Sequence, residues 1–478
     1  MSPLRSKRDA SGGDAGDWER GRDIRLPFRV TLQDGRELRC EEILRLLPGR
    51  RLVCRAGLGG ETFLAKLFLG EEAEREARAD ADAVRAMMRG GIPTPALREE
   101  AKVRGRSHRV LLFDYHPRAR SFREAWAAGD AGTRQRLLDD LLRLVARQHR
   151  AGLQQRDFHL GNFILDAAGG LYAIDGGDLR VSPRPRGRTA ALADLAMLFG
   201  HLPRPELSRE RLAAYFEERG WPPDSGFEKR LRRAADRARH RRARRIGRKA
   251  FRNCSEFLVR RRGRFHLCQR RDLDPSVLDA WMAAGGLVPR SGDHLLKEGN
   301  SQTVWQSRLG ERPVVVKRYN LKNRRHALRR ALSRSRASRS WENAHRLRAY
   351  HIATPEPLAM IEERRGPFRR RAWLITAPAP GQGADRYLRE ALDETDLVRL
   401  SEVVNAFADN QLAHGDMKAS NFIMDEARVQ VIDLDSMRRH RLPWRRRAAI
   451  YRDQARFLEN WSGEQRRRFA RLQRRRPR

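Results

Sequence analysis

Apolar residues recur with two different periods along this 478-residue chain, and each pattern occurs twice. Period-two alternation marks a strand at 62–66 (TFLAK), behind glycine turns at Gly49 and 57–60, and another at 314–317 (VVVK), behind Gly299 and Gly310. Gly59 and Gly310 each precede their strand's lysine by seven residues, and Gly49 and Gly299 by 17 and 18, which predicts two hairpins of the same dimensions. A charged helix follows in each half and stops at a proline signal, GIPTP at 91–95 and HIATP at 351–355. Leu137, Leu141, Leu144 and Val145 repeat at helical spacing, as do Leu397, Leu400, Val404 and Phe407, and these stripes predict helices that face a core. After each stripe come a polar loop and a short hairpin, 163–165 with 171–174 and 422–424 with 429–432.

The repeat predicts an α+β chain of two tandem domains, each a small antiparallel sheet followed by a helical part. Length agrees, because 478 residues exceed what one hydrophobic core usually serves. The arginine-dense stretch 230–265 reads as a helix closing one domain and the entry to the next, so the boundary is placed near residue 250, giving 24–250 and 251–478. Residues 1–23 are polar and lack the apolar centre of a signal peptide, and they read as a disordered tail. Apolar windows such as 190–199 are broken by Asp194 and too short to span a membrane.

The chemistry lies in the two polar loops. One reads QRDFHLGN from Gln155 to Asn162 and the other HGDMKASN from His414 to Asn421, so both are D-x4-N. Each following hairpin ends in an aspartate, Asp175 and Asp433, 13 and 12 residues past the asparagine. Between halves the offsets are 251 for the lysine, 259 for the loop and 258 for the last aspartate, so the whole constellation repeats in register. Phosphoryl transfer needs these residue types, because a triphosphate must be held by a cation on a rigid strand and by carboxylate-bound magnesium. On that reading Lys66 and Lys317 touch the phosphates of ATP. Asp175 and Asp433 hold Mg2+ with Asn162 and Asn421, Asp157 and Asp416 orient the acceptor hydroxyl and take its proton, and the hairpins at Gly49 and Gly299 cover the nucleotide. Glu342 is the expected carboxylate partner of Lys317, while Glu76 and Asp82 compete for Lys66. Asp194 and Asp453, in the helices beyond, are placed to accept loop N–H groups or to cap their helices. Two tandem protein kinase-like bilobal domains follow as the expected fold.

Composition narrows the partner. Lys and Arg number 101 against 61 Asp and Glu, a formal net charge of +40, which favours a polyanion such as nucleic acid, an anionic membrane face or a phosphorylated glycolipid. The aromatic and basic interleaving of single-strand binders is missing, which argues against nucleic acid. Four cysteines without CxxC spacing, Cys40, Cys54, Cys254 and Cys268, argue against structural zinc and a disulfide-stapled fold and fit a reducing cytoplasm.

The second half, through PVVVKRY at 313–319, the stretch 341–357, the loop His414 to Asn421 and Asp433-Leu-Asp435, resembles the bacterial lipopolysaccharide kinases that phosphorylate Kdo or heptose of the inner core. The first half is similar more loosely, through 155–159 and Ile174-Asp175. The resemblance implies an ATP- and Mg2+-dependent phosphotransferase acting on the core and lipid A glycolipid, cytoplasmic and peripheral at the inner face of the membrane. Asp-Gly-Gly and Asp-Leu-Asp replace the Asp-Phe-Gly of protein kinases, and the Ala-Pro-Glu signal is missing, which speaks against peptide substrates. His159 stands where Lys418 stands in the other half, as in many small-molecule kinases, and is not read as a metal ligand. A protein or small-metabolite acceptor and a pseudokinase scaffold stay open, since fold does not fix function.

Overall fold

A computed structural model describes Trp18 and residues 24–204, 207–320, 333–366, 368–390 and 393–473. The chain divides into two compact units, Met1–Ala235 and Asp236–Arg478. Among the described residues both are mixtures of antiparallel sheet and helix, as the α+β expectation requires.

In the first unit six strands pair in the order Phe28–Thr31, Glu37–Leu47, Arg51–Leu58, Glu61–Phe68, Arg109–Asp114 and Leu97–Lys102. Strand Arg51–Leu58 buries every second residue, Leu52, Cys54, Ala56 and Leu58. Strand Arg109–Asp114 is covered on both faces. Val110 and Leu112 join one core, whereas Leu111 and Phe113 point to a second that contains the helices. Helix Ala73–Arg89 lies on this second face through Ala73, Ala77, Ala81 and Val84, small residues that allow close approach to the sheet. Ser121 and Glu124 form a capping box that starts helix Phe122–Ala128. Helix Ala131–Arg150 then leads to the loop that ends at Asn162 and the hairpin Phe163–Leu165 with Leu171–Ala173.

The expected tail lies largely outside the described residues, but Trp18 does not behave as a tail. It is buried, and its ring stacks on Phe28 at 5.5 Å. A tryptophan among polar residues can anchor a segment that composition alone assigns to solvent.

Among the described residues the larger sheet of the second unit has seven strands, ordered Phe257–Arg262, Phe265–Arg270, Pro357–Arg365, Phe368–Thr376, Arg312–Tyr319, Gln302–Leu309 and His294–Lys297. Its first hairpin and helix Pro275–Ala283 have no counterpart in the repeat read from the sequence. Val314 and Val316 face the core under that helix, with Trp305 and Trp281. Tyr319 faces the other way, into a core with Trp341 of helix Arg336–Leu347. Trp341 is fully buried and donates its Nε1–H to the carbonyl of Ala250 at 2.9 Å.

The division between units falls inside helix Ser225–Lys249, ahead of the expected boundary near 250. Its apolar residues explain why: Phe227, Leu231, Ala234 and Ala235 belong to the first unit's core, and Ala243 and Ile246 to the second's. Most of the arginines that suggested a boundary are exposed, whereas Arg239 is buried.

Trp341→Ala removes a buried ring together with the partner of Ala250, and a loss of about 3–5 kcal/mol follows. Urea unfolding followed by circular dichroism measures it, and a loss below about 1 kcal/mol contradicts the packing described.

Candidate active sites

Strand alternation aims the lysine of the second unit. With Val314 and Val316 turned into one core, Lys317 projects on the Tyr319 face, its ammonium 5.2 Å from that ring's centre. Hairpin Phe422–Met424 with Val429–Val431 delivers Asp433 to the same place, and Lys317 Nζ lies 2.8 Å from Asp433 Oδ1. Asp433 has a φ of 61°, a left-handed conformation that a non-glycine residue holds only when its surroundings enforce it. Burial pushes the Asp433 carboxyl up, but Lys317, Arg336 and His414 outweigh it and hold the group below its ordinary range. Burial likewise opposes the Lys317 charge, yet Tyr319 and Asp433 carry its pKa above the usual value.

The loop before the hairpin is fixed by its own hydrogen bonds. Asn421 Nδ2 donates to the Asp416 carbonyl at 2.8 Å, and the Ile432 N–H donates to the Asn421 carbonyl at 2.9 Å. His414 donates from Nε2 to the Ile432 carbonyl at 3.0 Å, and Asp453 accepts the N–H groups of His414 (2.6 Å) and Gly415 (3.0 Å). The Asp453 carboxyl is raised by burial and partly restored by those two bonds. Asp416 is half-buried, with Arg456 at 2.9 Å and Lys418 at 3.6 Å. Gly299 lies in the turn before Gln302–Leu309, where Asn320 Nδ2 donates to its carbonyl at 3.0 Å.

The first unit builds the same frame. Asn162 Nδ2 donates to the Asp157 carbonyl at 3.1 Å and to Gln155 Oε1 at 3.1 Å, and the Ile174 N–H donates to the Asn162 carbonyl at 2.8 Å. Asp194 accepts from the Gln155 N–H (3.1 Å), Gln154 Nε2 (3.0 Å) and His149 Nε2 (3.1 Å). The carboxylate of Asp157 is exposed. His159 Nδ1 accepts the Gly161 N–H at 3.1 Å, and burial holds this histidine neutral, as a cap of the turn. Gly49 occupies the hairpin turn at φ +69°, with open space around it.

The two units differ around the last aspartate. Asp175, at φ 70°, has Arg45 Nη1 at 2.9 Å, Arg51 Nη1 at 3.6 Å and Lys66 Nζ at 3.9 Å. Burial raises its pKa, and these three cations bring it below the ordinary range. Lys66 is closer to Asp80, whose Oδ2 it meets at 2.7 Å and which is completely buried. Gly176 packs against Asp80 so closely that a Cβ would stand 2.8 Å from the Asp80 carbonyl oxygen, so Asp-Gly after the hairpin is a steric requirement.

The carboxylates expected beside the two lysines lie elsewhere. Glu76 pairs with Arg50 and Asp82 with Arg85, and neither reaches Lys66. Asp80 was legible as the one acid on the buried face of its helix, in step with Ala73, Ala77 and Val84. Glu342 pairs with Arg334 and makes no ion pair with Lys317. The helix face turned to the site carries Arg336, which pairs with Asp435, and Asn343, whose Nδ2 donates to the carbonyls of Leu434 (2.8 Å) and Met437 (2.9 Å). Glu342 lies about 100° around the helix from Asn343, so Lys317 turns to Asp433 instead.

Magnesium prefers hard oxygen donors and keeps several positions for phosphate and water. Asp433 and the Oδ1 of Asn421, whose Nδ2 is engaged, fit that need in the second unit. In the first, a metal on Asp175 competes with two arginines as well as a lysine.

Residues 295–471 match the model of the lipopolysaccharide kinase (Kdo/WaaP) family. No curated protein matches the chain. The matched segment holds Lys317, Asp416, Asn421 and Asp433, and it supports a kinase in the second unit.

Lys317→Met leaves Asp433 largely buried without its nearest counter-charge. A destabilisation of about 2 kcal/mol is expected at pH 7, below the figure for a fully buried pair because Arg336 remains nearby. Without the lysine the Asp433 carboxyl rises, so it protonates earlier than in wild type as pH falls and the deficit against wild type shrinks. Thermal unfolding of both proteins from pH 7 downwards checks it, and a deficit that grows on acidification contradicts it.

Proposed function

We propose that the second unit transfers the γ-phosphoryl group of ATP to a sugar hydroxyl of the lipopolysaccharide inner core. The observation that carries this reading is the pairing of Lys317 with Asp433 beside the Asp416–Asn421 loop, within the segment that matches the family. Lys317 would hold the α- and β-phosphates, and Asp433 with Asn421 would hold magnesium, which when bound neutralises the β- and γ-phosphates. Asp416 would orient the acceptor hydroxyl and accept its proton. The acceptor oxygen would form a bond to phosphorus as the bond to the ADP oxygen breaks. Lys418 and Arg456, flanking Asp416, would offset the acceptor's own negative charge. Inner-core glycolipid carries phosphates and carboxylates, which gives the net charge of +40 a use at an anionic membrane face. No helix among the described residues is long and apolar enough to cross a membrane, so docking would be peripheral.

For the first unit a second reading is favoured by one observation. Asp175 is already neutralised by Arg45, Arg51 and Lys66, so this unit is read as a kinase-like scaffold that keeps the frame and turns over little.

Magnesium-dependent transfer from labelled ATP to isolated core glycolipid tests both readings. Asp416→Ala and Lys317→Ala are each expected to lower the rate at least about a thousandfold, whereas Asp157→Ala has a much smaller effect. Full activity in the double variant D157A/D416A contradicts the reaction, and a loss in D157A as large as in D416A assigns turnover to the first unit.

A further inference from the structure

A cavity of about 460 Å³ in the second unit is unusual in its charge. It opens between helix Arg336–Leu347, the chain just after Asp435, and the part of helix Ser225–Lys249 that belongs to this unit. Arg244 and Arg248 come from the last of these, Arg346 from the first, and Arg438, Arg439 and Arg441 from the middle segment. Six guanidinium groups thus meet one carboxylate, Glu342, and that one is engaged by Arg334. Among the described residues none of the six has an acidic partner within ion-pair distance, whereas arginines elsewhere in the unit commonly do, as Arg270 does with Asp272 and Glu356.

The side chains at the centre are desolvated as well as uncompensated. The Nε atoms of Arg346 and Arg439 are buried with no hydrogen-bond partner. Burial and the nearby Arg446, Arg244 and Arg346 lower the Arg439 pKa. Burial and the same field push His240 down to about 3, so a neutral imidazole shares a 3.0 Å hydrogen bond with Tyr350 in the cavity wall. Like charges brought together without counter-ions are costly, and such clusters are stable when an anion completes them.

We propose that this cavity is a binding site for a compact polyanion bearing at least two phosphoryl groups, distinct from the Lys317–Asp433 cleft, with which it shares no residue. Planar guanidinium forks match phosphoryl oxygens two at a time, and the volume is that of a small-molecule site. The ligand would also cross-link two elements of the active site. Arg346 is one turn from Asn343, which holds Leu434 and Met437, and Arg438 and Arg439 directly follow Met437. An anion bridging them would fasten the helix to the segment that sets Asp433. That coupling rests on the kinase reading, whereas the binding does not.

Isothermal titration of the full chain with sodium tripolyphosphate, without magnesium, tests the site. Saturable binding is expected, weakened at least tenfold in R346Q/R439Q and less than twofold in R232Q/R233Q, which removes the same charge from an exposed stretch of helix. Because Arg346 and Arg439 are partly buried, R438Q/R441Q, at exposed positions, is measured alongside with its Tm; a wild-type Tm with binding weakened several-fold supports the site. Equal loss in the surface control, or loss in D433A with retention in R346Q/R439Q, overturns it. Vesicles of phosphatidylcholine with a bisphosphorylated phosphoinositide separate the sources: displacement of tripolyphosphate assigns a lipid headgroup, and undiminished binding assigns a soluble polyanion. Failure of sugar-kinase activity with binding intact would remove only the proposed coupling.

Discussion

A desolvated lysine and a desolvated aspartate stabilise a fold only if each lies within reach of the other, and in the second unit Lys317 and Asp433 meet at 2.8 Å. Much of that unit's architecture serves this placement. Val314 and Val316 turn their strand so that Lys317 faces the cleft, the short hairpin ends in a left-handed aspartate, and Asp453 fixes the preceding loop through two N–H groups. On the proposed function, a metal–triphosphate complex would separate this cation and anion and use both.

The first unit shows how the same frame can be altered with few substitutions. Its loop and hairpin hydrogen bonds reproduce those of the second, with Gln155 in the place of His414. Its lysine, however, is held by buried Asp80, and its hairpin sends Arg45 and Arg51 to Asp175. Counter-charge that Lys317 brings to Asp433 at 2.8 Å in one unit comes to Asp175 chiefly from two arginines in the other.

Much of this was legible in the sequence, because the lysine, the D-x4-N loop and the final aspartate are local signals whose spacing repeats. The structure does bring Lys317 to Asp433 and Asn421 to the Asp416 carbonyl. What escaped were features set by helix phase and by packing. Glu342 had the right type for a lysine partner but the wrong angle, while Asp80 sat unnoticed on an alanine face. Trp18 looked like tail, and the hairpin Phe257–Arg262 with Phe265–Arg270 was hidden under arginines. Charge dominated the reading of those stretches, while their few apolar residues determined the packing. The arginine cavity was invisible for a related reason, since its lining comes from three separated segments.

The proposed function requires Asp433 to bind the metal of a metal–nucleotide complex, and the scaffold reading of the first unit requires Asp175 not to. Isothermal titration of ATP into the full chain, with and without magnesium, addresses both requirements most directly. One magnesium-dependent binding event per chain is predicted, lost in Asp433→Asn and kept in Asp175→Asn. ATP affinity that is unchanged by magnesium and by Asp433→Asn would contradict the account.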